Sequence, residues 1–188
     1  VKGLILDAAV KLFEQYGYKN VSIVQITDAI NMTTGVFYYH FRSKEEILHT
    51  IYEEYITYVT NVIEEVCDMD VDAQEKLRLL ILRQCGIVNG YHSYVCIFFR
   101  EYRNLSEEGL KFVQEKNGRI LQLCTSIIEQ GIREGRFRFD LDPKIVSLGI
   151  LGMNNWLYQW YSAEGKYDTA TIATMFYNMV GSGLLTSS

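Results

Sequence analysis

The chain has 188 residues, a formal net charge of −5, 48% hydrophobic residues and a single Pro. That balance excludes a disordered chain and argues for one or two compact, mainly helical domains with a sizeable core. The acid excess is uneven. Residues 1 to 50 set Lys2, Lys11, Lys19, Arg42 and Lys44 against Asp7, Glu14, Asp28, Glu45 and Glu46, so the whole excess falls beyond residue 50. Charge therefore permits nucleic-acid binding at the N-terminal end without demanding it. The sequence starts at Val1 rather than Met, which leads us to expect an upstream piece such as a basic arm. No secretory signal and no bilayer-length apolar run occur, so a cytoplasmic protein is expected. Cys67, Cys85, Cys96 and Cys124 have no zinc or redox spacing and read as buried, reduced thiols. The Asn-x-Ser/Thr triplets at Asn20, Asn31 and Asn104 are then chance matches.

In chain order, Ile5, Ala8, Ala9, Leu12, Phe13 and Tyr16 make one apolar helical stripe that stops at Gly17. Ser22 with Gln25 forms a capping box, and Val21 with Ile26 a hydrophobic staple, so a second helix starts at about residue 23. Asn31 sits where a left-handed residue ends it. A third helix begins at Thr33. Phe37 and Phe41 share its inner face, while Thr34, Tyr38, Tyr39 and His40 point elsewhere. Phe13 and Phe41 are expected core partners. Ser43 with Glu46 is another capping box, which puts Lys44 at the first position of a fourth helix, beside exposed backbone amides. Helix, short turn and helix suit the DNA major groove with flanking phosphates. An ordinary amphipathic surface helix is the bland alternative.

The stretch from Ser22 to Glu45 resembles the amino-terminal motif of the tetracycline-repressor (TetR) family: Ser22-Ile23, Ile26-Thr27, Asn31-Met32-Thr33-Thr34-Gly35, then Phe37-Tyr38-Tyr39-His40-Phe41-Arg42-Ser43-Lys44-Glu45. Thr27 and Ile30 replace the usual small residues, and Asn31 the usual turn Gly. The resemblance implies a helix-turn-helix regulator, all-α, with a DNA-binding domain over residues 1–46 and a ligand-binding and dimerisation domain over 47–188. Thr33, Tyr38 and Lys44 would hold phosphates, and Thr34, Gly35, Tyr39 and His40 would approach base edges. Ser22 joins them as a candidate DNA contact.

The fourth helix continues through Leu48, Ile51, Tyr52, Tyr55, Val59, Ile63 and Val66, roughly 35 Å of rod joining the head to a second body. After the acidic break at residues 68–72, a fifth helix ends near Gly90 and a sixth carries Tyr94, Val95, Phe98, Phe99 and Tyr102. A seventh runs over about 107–134. Asp142 and Pro143 start an eighth that reaches Trp160, and a ninth covers about 168–185. Gly149, Gly152, Met153, Trp156, Met175, Phe176 and Met179 give the last two an apolar face suited to a homodimer, or simply to the monomer's own core.

Aromatic surface is plentiful in the second body. Tyr55, Tyr58, Tyr91, Tyr94, Phe98, Phe99 and Tyr102, with Met153 and Trp156, fit a cavity for a bulky hydrophobic effector; plain core is the alternative reading. Residues 98–106, 135–138 and 151–156 resemble a TetR branch that regulates fatty-acid or sterol breakdown and responds to acyl-CoA. Arg100, Arg103 and Arg119 could meet CoA phosphates; alternatively Arg100 and Arg103 pair with Glu101, Glu107 or Glu108 as solvated helix charges. The whole reading is a dimeric, ligand-responsive repressor on a pseudo-palindromic DNA operator, with no cofactor, metal or membrane partner. A drug-sensing efflux regulator and a helical ligand-binding dimer without DNA binding are the alternatives. An enzyme built on His40, His49 or His92 is disfavoured, because no two have a catalytic or metal spacing.

Overall fold

The computed structural model describes residues 1–186. Among the described residues the fold is all-α, its only strand-like feature an antiparallel bridge between Phe137 and Leu185. The helices are α1 (Lys2–Tyr16), α2 (Ile23–Asp28), α3 (Thr34–His40), α4 (Lys44–Asp68), α5 (Ala73–Arg100), α6 (Glu107–Arg133), α7 (Pro143–Asn155), the single turn α8 (Leu157–Trp160) and α9 (Thr169–Leu184). Short 3-10 turns at Tyr18–Asn20 and Tyr102–Asn104 punctuate them. No helix among the described residues is long and apolar enough to cross a membrane.

The termini follow from local chemistry. α1 stops where Gly17 takes φ 80°. The Ser22 hydroxyl accepts from the Gln25 amide at 3.2 Å, and the Gln25 side chain accepts from the Ser22 amide at 2.8 Å. Asn31 is left-handed, φ 53°, between two closing bonds: its amide to the Asp28 carbonyl at 3.1 Å and that of Met32 to Thr27 at 2.9 Å. That 5→2 and 6→1 pair is a Schellman end. Asp142 caps α7 through the Ile145 amide at 3.0 Å, and Asp168 caps α9 through Thr171 at 2.8 Å.

Two helix divisions differ from expectation. The fifth and sixth expected helices are one element, α5, kinked at Tyr91 (φ −124°, ψ 21°). Gly90 does not adopt the positive φ that would end a helix, so the chain bends and continues. The expected eighth helix instead divides at Trp156, whose amide closes on the Gly152 carbonyl at 3.1 Å.

The chain forms two compact units, and α4, α5 and α6 each contribute to both. The first comprises Val1–Thr57 and Tyr91–Gln114, and so extends well past residue 46. Ile5, Ala9, Phe13, Ile26, Phe37, Phe41, Ile47, Leu48 and Ile51 are its buried centre. Phe13 and Phe41 are both buried, but their nearest ring partners are Tyr18, at 5.2 Å from Phe13, and Phe37, at 6.0 Å from Phe41. Tyr52 is fully buried and donates to the carbonyls of Phe98 (2.6 Å) and Ile97 (3.1 Å), which satisfies its hydroxyl inside an aromatic cluster.

The second unit comprises Tyr58–Gly90 and the chain from Glu115 onward. Ile63, Leu77, Ile81, Cys124, Ile127, Ile128, Phe137, Ile150 and Leu157 are buried in it. Gly131 has no side chain because the Phe137 ring lies where a Cβ would stand. A buried polar contact pins α5 to α7: Asn154 donates to the Gln84 side chain at 2.6 Å, and the Cys85 thiol lies 3.8 Å from the Asn154 oxygen. The four cysteines are free thiols, and burial pushes Cys85 and Cys124 up to about 12.

Candidate nucleic-acid interface

The first unit presents α3 as a helix of two unlike faces. Phe37 is fully buried, whereas its neighbours Tyr38 and Tyr39 are 58% and 85% exposed. Their outward position is fixed from below: the Phe37 ring sits edge-on to Tyr38 at 5.4 Å, and Tyr39 meets His40 edge-on at 4.9 Å. Thr33, Thr34 and Gly35 are exposed beside them, and His40 is half-buried. The Thr33 hydroxyl makes no capping bond to its own helix. One short element thus offers two phenols, two threonine hydroxyls and an imidazole to whatever approaches it, a mixed set able to hydrogen-bond base edges or phosphate oxygens.

α2 holds α3 at its angle through the Asn31 turn. Thr27, larger than the residue usual in the family motif, is accommodated by turning its hydroxyl back to the carbonyls of Val24 (3.0 Å) and Ile23 (3.2 Å). Ser22 is exposed, but its hydroxyl already serves the α2 cap, so its role is first of all in helix initiation.

Lys44 departs from its expected role. Its ammonium donates to the carbonyls of Val21 (2.6 Å) and Tyr18 (2.7 Å) and lies 4.3 Å from the Tyr18 ring centroid. Burial lowers its pKa, with Glu101 acting in the opposite sense. Glu101 in turn accepts from the Tyr18 amide at 3.1 Å. Lys44 is therefore a clamp on the link between α1 and α2 rather than a cation held out to phosphate. Sequence reasoning missed this because the clamped carbonyls lie 23 and 26 residues upstream. The Ser43 hydroxyl accepts from the Glu46 amide at 3.2 Å as the box requires, but the Glu46 carboxylate returns to the Arg42 amide, at 2.6 Å, one residue before the expected one. Lys19 and Arg42 are exposed cations near this end of the unit, as is Lys2, 5.1 Å from the Phe41 ring centroid.

The expected effector residues are divided between the two units. Tyr55, Tyr91, Tyr94, Phe98, Phe99, Arg100, Tyr102 and Arg103 belong to the first; Tyr58, Arg119, Met153 and Trp156 belong to the second. In the first unit Phe98 lies between Tyr52 (4.9 Å) and Tyr55 (4.8 Å), and burial pushes the Tyr55 hydroxyl pKa well up. The Tyr94 hydroxyl donates to Glu54 at 3.2 Å. Arg100 and Arg103 are exposed. In the second unit Arg119 is exposed and ion-paired. It meets Glu64, with its Nη2 3.0 Å from the carboxylate. Trp156 is 62% exposed and so lines no enclosed cavity within its own unit. A shallow groove of about 520 Å³ in that unit is lined by Gly118, Leu121, Gln122, Thr125, Glu129 and Lys144, none of them an expected effector residue.

Comparison with known proteins agrees with this arrangement. The repressor KstR2 of Rhodococcus jostii is 26% identical over 182 residues, which is 96% of this chain and 89% of that one. The solved structure of the ketosteroid transcriptional regulator KstR2 of Mycobacterium tuberculosis superposes with a TM-score of 0.91, at 23% identity, over 99% of this chain and 95% of that one. The structure of AibR in complex with isovaleryl coenzyme A and operator DNA superposes with a TM-score of 0.81, at 26% identity, over 97% of both chains. These relatives are regulators, not enzymes. Residues 5–51 match the family described as bacterial regulatory proteins, tetR family, and residues 70–184 match the tetracyclin repressor-like C-terminal domain. With both halves matched, the chain belongs to the TetR family of DNA-binding transcriptional regulators.

Proposed function

We propose that the protein is a cytoplasmic homodimeric repressor whose α3 reads a pseudo-palindromic operator and whose effector is a CoA thioester with a bulky hydrophobic acyl group. The observation that carries the DNA-binding half is the outward Tyr39, 85% exposed on a helix whose neighbouring Phe37 is fully buried. A large aromatic ring kept in water has no folding role, and its phenol suits contact with a base edge or backbone. The reading head occupies residues 1–46, with Thr33, Thr34, Gly35, Tyr38, Tyr39 and His40 at the DNA and Lys19 and Arg42 supplying phosphate attraction. Such a small cation count makes each head weak by itself, which favours two heads on two half-sites.

Residues 47–188 carry dimerisation and effector binding in this reading. Ile145, Leu148 and Trp156 of α7 and its end, with Met175 and Met179 of α9, are large exposed apolar groups in one unit. A symmetric partner presenting the same helices would cover them. The effector class is supported by AibR, whose solved complex holds isovaleryl coenzyme A and operator DNA. The effector would act by binding one state of the dimer better than the other, shifting the population away from the DNA-competent one.

The test begins with selection of bound fragments from sheared genomic DNA, followed by anisotropy titration of the recovered duplex. Tyr39→Ala should weaken the selected duplex about tenfold or more while leaving the melting temperature unchanged. Equal affinity for the variant and the parent would remove α3 as the reader. Native mass spectrometry of the purified protein reports the effector: a retained CoA thioester supports the proposal, and a planar cationic drug would redirect it to efflux control.

A further inference from the structure

In the first unit, Glu14 of α1 faces the segment of α5 just past the Tyr91 kink. His92 and Cys96 stand one helical turn apart there and share a face. His92 Nδ1 lies 3.0 Å from Glu14 Oε1, and Cys96 Sγ lies 3.7 Å from both ring nitrogens. The carboxylate, imidazole and thiol donor atoms all fall within 4.8 Å of one another. We propose that Glu14, His92 and Cys96 form a three-residue binding site for a thiophilic divalent transition metal ion of the zinc class.

Distance supports the assignment. Tetrahedral zinc with ordinary bond lengths sets its nitrogen and oxygen donors about 3.4 Å apart and its sulfur and nitrogen donors about 3.6 Å apart. The imidazole–carboxylate and imidazole–thiol spacings, 3.0 and 3.7 Å, lie within a few tenths of an ångström of these, and the carboxylate and thiol, within 4.8 Å of each other, close on an ion by side-chain rotation. Rotation of the His92 ring, a soft torsion, is enough to aim one nitrogen at the ion. Charge supports it equally: a thiolate and a carboxylate neutralise a divalent cation, with the imidazole neutral and the thiol proton released to solvent. The Ser93 hydroxyl donates to the second carboxylate oxygen of Glu14 at 2.6 Å, the kind of outer bond that fixes a ligand's orientation. His92 and Glu14 are half-buried and Cys96 is buried, so an ion has a route in and a fourth position is left for water. Because Glu14 and the other two ligands come from different helices, a bound ion would tie α1 to α5.

Cobalt(II) is the probe, added to the reduced full chain. One equivalent per chain should bind with a thiolate-to-cobalt charge-transfer band, zinc should displace it, and the melting temperature should rise with metal concentration. Cys96→Ser should abolish the band, whereas Cys67→Ser, which removes the half-buried thiol outside the cluster, should keep it. Ser93→Ala should weaken binding about tenfold. No charge-transfer band in the parent protein, or an undiminished one in Cys96→Ser, overturns the site. If Cys96→Ser does not fold, Glu14→Gln decides, since undiminished cobalt affinity in that variant has the same meaning.

Discussion

Replacing Lys44 with Met separates a structural clamp from a phosphate ligand. Met keeps the apolar stem and removes the ammonium, which makes two short hydrogen bonds, at 2.6 and 2.7 Å, and a cation–π contact at 4.3 Å. A hydrogen bond to a charged group is worth about 1.5–3 kcal/mol when buried. This side chain is only half-buried, so about 1 kcal/mol for each bond and about 0.5 kcal/mol for the ring contact is the appropriate scale. The total, about 2.5 kcal/mol, corresponds to a melting temperature lower by about 5–10 °C in a chain of this size. The salt dependence of operator binding is the second readout. Removing one phosphate ligand from each of two heads would flatten the log–log slope by about 2, whereas removing a clamp leaves the slope nearly unchanged. Scanning calorimetry and anisotropy titrations across a salt series report both quantities. An unchanged melting temperature with a slope flattened by about 2 would refute the clamp.

Gly131→Ala drives a methyl group into the Phe137 ring and should cost about 2–3 kcal/mol, read as a lower melting temperature. Combining it with Phe137→Ala should cost less than the sum of the two single changes, because the clash is then gone. Asn31→Gly should be nearly neutral in urea denaturation, whereas Asn31→Ala should lose about 1 kcal/mol to the left-handed backbone at φ 53°. The Glu134 carboxylate accepts from the Ala73 amide at 3.0 Å and from Gln130 at 2.6 Å, and these bonds hold its pKa below the usual carboxylate range. Its stabilising contribution is therefore complete above the unfolded value of about 4.3 and is lost as the pH falls through the lower folded value. Melting curves from about pH 6 to pH 3 should show the parent's advantage over Glu134→Gln shrinking with acidity, and a constant difference would contradict the assignment.

What the sequence by itself determined was whatever is settled within one helical turn. The Ser22 box, the Asn31 turn, the Asp142 cap and the inward Phe37 beside the outward Tyr39 depend on groups no more than about five residues apart, and spacing displays them directly. The family motif added the likeness that spacing could not. Tertiary structure alone decided what distant segments bring together. α5 passes through Gly90 because packing, not propensity, sets whether a glycine ends a helix. Lys44 turns inward because two carbonyls more than twenty residues upstream stand within its reach. Glu14 meets His92 across 78 positions, and Asn154 meets Gln84 across 70, with nothing in either local pattern to announce the partner. A side chain's type limits which bonds it can make, but the choice among them belongs to whichever groups the fold carries within about 3 Å.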